Sequence, residues 1–346
     1  MGRIMDSSIF NFETYHPKAN YPWGGICLRG LFLCLVFLGV WECFWRIQGY
    51  VPKIVDSYEL WSSKHKSLYD NGENGFAMVG ASRLMQAIDP DVLREEMPAI
   101  YPVQLGRSGG SPLPILKYMA EETDYNGTVV IDVTPRILFA EDAFSEKTIM
   151  KWIDRYQEEQ KQSPRFLEPY YEKVELSLRQ LAEVIFIFTG DQMNPCEAVK
   201  QFLNGGLQVP NFWEITGDRR QLMDYSGVDI EAFRKSRTKL AAAAKKLTRK
   251  SLFIRLHELN SYVEKIEERG GKVIFLKTPT TQDVKAAEEK RFPSRFYWDM
   301  LEKWVSGQKI DCNKIKNLSV FVCSDGAHID SEQSTKFTTY LIDYIK

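Results

Sequence analysis

Phe76-Ala-Met-Val-Gly-Ala-Ser-Arg83 decides how this chain is to be read. A short apolar run closed by a glycine has the length and composition of a strand buried on both faces. The serine stands where the chain turns, ahead of Asp89-Pro-Asp-Val-Leu93, which reads as a helix start with an N-cap and proline at the first helical position. Working outward, Ile100 to Gln104 reads as a strand, Arg107-Ser-Gly-Gly-Ser111 as a turn, Pro112 to Glu122 as a helix and Thr128 to Val133 as a strand. Strand and helix alternate, which predicts an α/β fold with a doubly wound parallel sheet, covered on both faces. Residues 140–230 break the rhythm: they are rich in aromatic and charged residues, mostly helical in period, and read as a helical insertion or lid. The pattern resumes with one long helix over 231–269, stopped by Gly270-Gly271 before the strand Lys272 to Lys277. A strand over Leu318 to Cys323, the polar turn Ser324-Asp-Gly-Ala-His328 and an amphipathic helix from Ser331 to Ile345 follow.

Totals bound the classes of function. The 346 residues, 44% of them hydrophobic, can bury a full core, and one main domain over 74–346 is expected. Lys and Arg (45) nearly cancel Asp and Glu (46), so there is no basic field of the kind that draws proteins to phosphate backbones, and nucleic acid is not expected as a partner. The six cysteines make no disulfide framework. Cys312 and Cys323 flank a short segment and could pair in an oxidising compartment, but buried free thiols are the favoured reading. No Cys/His cluster points to a metal, and no phosphate-cradling glycine loop points to a nucleotide, so no cofactor is implied.

The stretch Gly24 to Trp45, GGICLRGLFLCLVFLGVWECFW, is about as long as a bilayer-crossing helix, with Arg29 near one end and Glu42 near the other. Trp23, Trp41 and Trp45 lie near its ends, where amphipathic rings favour the headgroups. Residues 24–46 read as a transmembrane signal anchor; a buried core helix is the alternative. Arg3, Lys18 and Arg29 before the span, against Arg46 and Lys53 after it, slightly favour a cytoplasmic tail over 1–23. Residues 47–73 then read as a polar helical stalk, and the domain as the extracytoplasmic part of a single-pass protein of the cell membrane.

A serine hydroxyl is a weak nucleophile without a neighbouring base, and the chain has four histidines. His16 precedes the anchor, His65 lies in the stalk segment and His257 sits within a helix. His328 instead follows a strand, in a loop, three residues after Asp325, a spacing that lets the carboxylate orient the imidazole. Ser82, directly after the first strand, stands at the carboxyl edge of the sheet, where such sheets place their ligand sites.

Gly80-Ala-Ser82 near the start and Asp325-Gly-Ala-His328 near the end resemble the first and last blocks of the SGNH/GDSL hydrolase superfamily. The likeness runs from about residue 75 to the C-terminus, outside the insertion, and implies a flavodoxin-like fold. It also implies a catalytic triad of Ser82, Asp325 and His328. Gln104-Leu-Gly-Arg-Ser-Gly109-Gly resembles the family's second block, which implies that the amides of Gly109 and Ser82 face the oxyanion. Two departures stand out. The usual GDS is GAS here, and the family's GxND is replaced by Asp132-Val-Thr-Pro-Arg136, without the oxyanion asparagine. Arg136 and Thr134 are the candidates for its place.

Membrane-anchored relatives of this kind imply an esterase or O-acyltransferase acting on acyl esters of a cell-surface polysaccharide or wall polymer, with a membrane-bound acyltransferase as a possible partner. The rival expectation is a non-catalytic scaffold or polymer-binding partner of such an acyltransferase. Arg83 and Arg107 are candidates for binding an anionic substrate or for surface salt bridges. The tryptophans at 152, 213, 298 and 304 suit sugar stacking or packing.

Overall fold

The computed structural model describes residues 23–141, 143–161, 168–187, 203, 213–225 and 228–346. The tail expected over 1–23 lies, up to residue 22, outside the described residues. The chain divides after Tyr50 into two units.

The first unit holds helix α1, Trp23–Ile47. Its 25 residues rise about 37 Å, enough for a hydrocarbon core of about 30 Å. Its most apolar window has a mean hydropathy of 2.0. Glu42, the acidic interruption, pairs with Arg46 one turn on at 2.8 Å. A single helix of this kind suits a membrane anchor or a signal sequence.

The second unit begins with α2, Tyr58–Asp70, and β1, Gly75–Val79, followed by the short helices α3, Ser82–Ala87, and α4, Pro90–Glu96. Strand β2, Tyr101–Gln104, leads through α5, Leu113–Glu121, to β3, Thr128–Asp132, and a single turn, α6, Pro135–Leu138. The insertion supplies α7, Ala143–Lys161, α8, Glu168–Ile185, and a small antiparallel hairpin of β4, Trp213–Ile215, and β5, Gln221–Met223. Helices α9, Ile230–Ala243, and α10, Arg249–Glu267, precede β6, Lys272–Lys277. The chain continues through α11, Gln282–Arg291, α12, Ser294–Trp304, β7, Gln308–Asp311, and α13, Ser331–Ile345.

Five strands form one parallel sheet in the order β2-β1-β3-β6-β7. Because β1 lies between β2 and β3, successive connections leave it in opposite directions, and a crevice opens at the carboxyl ends of β1 and β3, the usual ligand position in doubly wound sheets. Alternate residues feed two cores. Ala77, Val79, Val129, Ile131, Val273 and Phe275 pack with α2, α5, α7, α10 and α12. Phe76, Met78, Val130, Ile274, Leu276 and Ile310 pack with α3, α4 and α13. Helices thus cover both faces, as the alternation predicts.

Three expectations need correction. Residues 47–73 are not a stalk throughout, because α2 belongs to the core: Leu60, Trp61, His65 and Leu68 are buried, and Trp61 Nε1 donates to Leu105 O at 3.1 Å. The long helix over 231–269 is two helices, parted where Thr248 turns extended and caps α10, its hydroxyl accepting from Ser251 N at 3.1 Å. The last strand is β7, not 318–323; Leu318, Phe321 and Cys323 are buried while Val320 and Val322 are exposed, and among the described residues the segment joins neither sheet. Cys312 and Cys323 are free, buried thiols.

Candidate active site

The crevice is closed by glycines. A Cβ on Gly80 would lie 2.2 Å from Asp132 Cβ, and one on Gly106 would lie 2.8 Å from Gly80 O, so β1, β2 and β3 converge only because these residues have no side chain. Arg107 N donates to Gly80 O at 2.9 Å, tying the loop after β2 to the turn that carries the serine. Asp132, at the end of β3, ties the same turn from the other side. Its Oδ2 accepts from Ala81 N at 3.3 Å and from Thr134 Oγ1 at 2.9 Å. Ser82 then opens α3, whose first amides have no partners within the helix by geometry.

The loop after β7 brings the histidine. Gly326 sits at φ +83°, and a Cβ there would come 2.5 Å from Val284 Cγ2, so both conformation and space require glycine. Asp325 Oδ1 accepts from the amides of Ala327 and His328, each at 2.9 Å, which leaves Oδ2 to meet His328 Nδ1 at 2.7 Å. His328 Nε2 lies 2.9 Å from Ser82 Oγ, joining residues 246 positions apart. Burial works against ionising Asp325, but the hydrogen bond and charge of His328, with the two amides, hold its carboxyl well below the usual range. Burial lowers His328 in turn, against the upward pull of Asp325 and with help from Arg237 and Arg83. At neutral pH the pair is therefore a carboxylate and a neutral imidazole. Nδ1 carries the proton toward Asp325, and Nε2 is left to accept the serine hydroxyl proton.

Ser82 and His328 line a cavity of about 210 Å³ with Ser108, Gly109, Arg136 and Arg237 among its other walls. The structure thus brings together Ser82, Asp325, His328, Gly109 and Arg136. Gly109 takes φ +71° in the loop after β2. Thr134 also lines the cavity, but its hydroxyl hydrogen is committed to Asp132, which leaves Arg136 as the candidate in place of the asparagine. The insertion contributes no described residue to the cavity wall, so the lid reading of 140–230 finds no support there. None of the tryptophans at 152, 213, 298 and 304 lines it either.

Arg83 and Arg107 are held by partners within the protein. Arg83 makes a buried two-point pair with Glu288 of α11, at 2.6 and 3.2 Å. Arg107 donates to Thr148 O at 2.8 Å and lies over the Trp152 ring at 4.2 Å. Sequence reasoning missed three residues. Glu288 neutralises Arg83, and Arg237 Nε stands 3.7 Å from Asp325 Oδ2. Arg219, fully buried at the hairpin turn with φ +61°, donates to Gln104 O at 2.7 Å, to Gly106 O at 2.9 Å and to Asp56 at 2.8 Å. It thereby braces the loop that carries Gly109. A non-glycine residue in the left-handed region is the kind of cost that surrounding structure must over-determine. Among the described residues, no three His, Cys, Asp or Glu side chains gather as a metal site needs.

No family model matches the chain, and no match was found among curated proteins.

Proposed function

We propose that the chain is a membrane-anchored serine esterase or O-acyltransferase of the SGNH/GDSL kind. The observation that carries the reading is the unbroken relay from Ser82 Oγ through His328 to Asp325, at 2.9 and 2.7 Å, opening on a cavity. In the reaction, Ser82 Oγ attacks an ester carbonyl while His328 Nε2 takes its proton. The amides of Ser82 and Gly109 receive the tetrahedral oxyanion, with the Arg136 guanidinium as third donor. The imidazolium, stabilised by Asp325, returns the proton to the departing alcohol, and the acyl group stays on the serine. His328 then activates the acceptor, which is water in an esterase and a sugar hydroxyl in a transferase.

The substrate is a small acyl ester of a cell-surface polysaccharide or wall polymer, a step that rests on the resemblance to anchored members of the superfamily rather than on the site. In this reading α1 is the anchor, with its N-terminus cytoplasmic and the α/β unit outside. One observation favours a second reading, a non-catalytic scaffold serving a membrane acyltransferase: no asparagine follows β3.

A fluorophosphonate probe on the detergent-solubilised full chain distinguishes the two. The adduct is expected at Ser82 by mass spectrometry and absent from Ser82→Ala and His328→Ala. An unlabelled wild-type serine overturns the catalytic reading in favour of the scaffold.

A further inference from the structure

The cavity wall is unevenly charged. Among the described residues, four charged side chains line it beside the neutral His328: Arg83, Arg136, Arg237 and Glu288. Arg83 and Glu288 cancel through their two-point contact. The carboxylate that faces Arg237 is not on the wall. Asp325 is fully buried behind His328, with both oxygens engaged. A ligand entering the cavity therefore meets the Arg237 guanidinium, while Asp325, the carboxylate that faces it, stays out of contact.

Arg136 is assigned to the oxyanion in the reaction above, and Arg237 has no role there. It comes from α9, which presents Arg237, Leu240 and Ala241 to the cavity at helical spacings of three and four. Its side chain is one-third exposed, and its 3.7 Å approach to Asp325 is an ion pair too long for a hydrogen bond. The helix thus offers a cation beside a short apolar strip, a few ångströms from the relay.

We propose that this site selects esters bearing a carboxylate close to the scissile bond, with Arg237 as the specificity-determining cation. The proposal rests on the catalytic reading above. The carboxylate has two chemical sources. It belongs to the acyl part, as in a half-ester of a dicarboxylic acid, or to the alcohol part, as in an acylated uronic acid.

Three matched esters separate these cases: the acetyl ester of methyl galactoside, the acetyl ester of methyl galacturonide and the succinyl ester of methyl galactoside. For the full chain in detergent at low salt, kcat/KM for one of the anionic esters is expected to exceed that of the neutral ester about tenfold or more, and the advantage to shrink as salt is added. An advantage for the galacturonide places the carboxylate on the alcohol; an advantage for the succinyl ester places it on the acyl group. Arg237→Gln is expected to bring the ratio near one, and Arg237→Lys to keep part of it. Equal kcat/KM for all three esters in wild type overturns the selection and leaves the catalytic reading standing. Calorimetry with Ser82→Ala protein and the same esters reads recognition without turnover: about tenfold tighter binding of an anionic ester supports the proposal, and equal affinities overturn it whatever the serine does. Missing fluorophosphonate labelling, by contrast, strikes the catalytic reading and not this binding preference.

Discussion

His328 and His65 are both buried, one in the loop after β7 and the other on α2, inside a cluster formed with Trp61, Tyr69, Tyr118 and Tyr156. Burial disfavours the imidazolium in both places. At His328 a carboxylate holds one ring nitrogen and a hydroxyl meets the other. At His65 the stacked Trp61 ring lies 4.7 Å away, Nδ1 has no hydrogen-bond partner among the described residues, and burial alone lowers the group to about 3. The contrast separates two properties that histidine-based site searches run together. Exclusion from water makes an imidazole neutral, but only oppositely placed polar partners make it a base that can receive a proton and hold the resulting charge.

The sharpest test makes one histidine resemble the other. Asp325→Asn removes the carboxylate while leaving His328 buried, and the rate of fluorophosphonate labelling or ester turnover is expected to fall about 10⁴-fold. A variant within tenfold of wild type would mean that the relay is not what activates Ser82. Next in size, Arg136→Ala tests whether the wired site also needs its charged wall: kcat is expected to drop about 10²- to 10³-fold with a smaller change in KM, as for loss of an oxyanion donor. An unchanged kcat removes Arg136 from that role.

The smallest effect concerns stability. The folded state keeps His65 neutral down to about pH 3, whereas the unfolded chain protonates it below 6.5. Its contribution is therefore fully present above pH 6.5 and is lost as pH falls toward 3. At pH 5 the loss is about 2 kcal/mol. His65→Phe is expected to flatten the difference in stability between pH 7 and pH 5 by about that amount in chemical denaturation, with labelling of Ser82 intact. Parallel curves for wild type and variant would show that His65 is not held neutral by its burial.

The legible parts share a local cause. Strands β1, β3 and β6 are short apolar runs with polar or glycine boundaries, and Gly80-Ala-Ser82 and Asp325-Gly-Ala-His328 are loops whose glycines answer to backbone needs written at that position. What stayed hidden depends on distant partners. Tyr58, Trp61, His65 and Leu68 of α2 follow helical spacing, but Ser62, Ser63, Lys64 and Lys66 between them make the segment read as polar, so its place in the core was missed. Glu288, Arg219 and Arg237 belong to elements whose own sequence says nothing of the crevice. An arginine in a hairpin turn looks like a solvated cation until Gln104 O, Gly106 O and Asp56 are seen around it. The apolar run over 318–323 misled for the same reason, since a run of apolar residues does not say whether a neighbouring strand covers it.

The 246 positions between Ser82 and His328 matter during synthesis as well as in the finished fold. A ribosome completes the serine, its turn and the first strands long before it reaches the histidine. A chain interrupted anywhere short of residue 328 has no partner for the Ser82 hydroxyl from the loop after β7, so the serine waits for its contact until the ribosome has passed that loop.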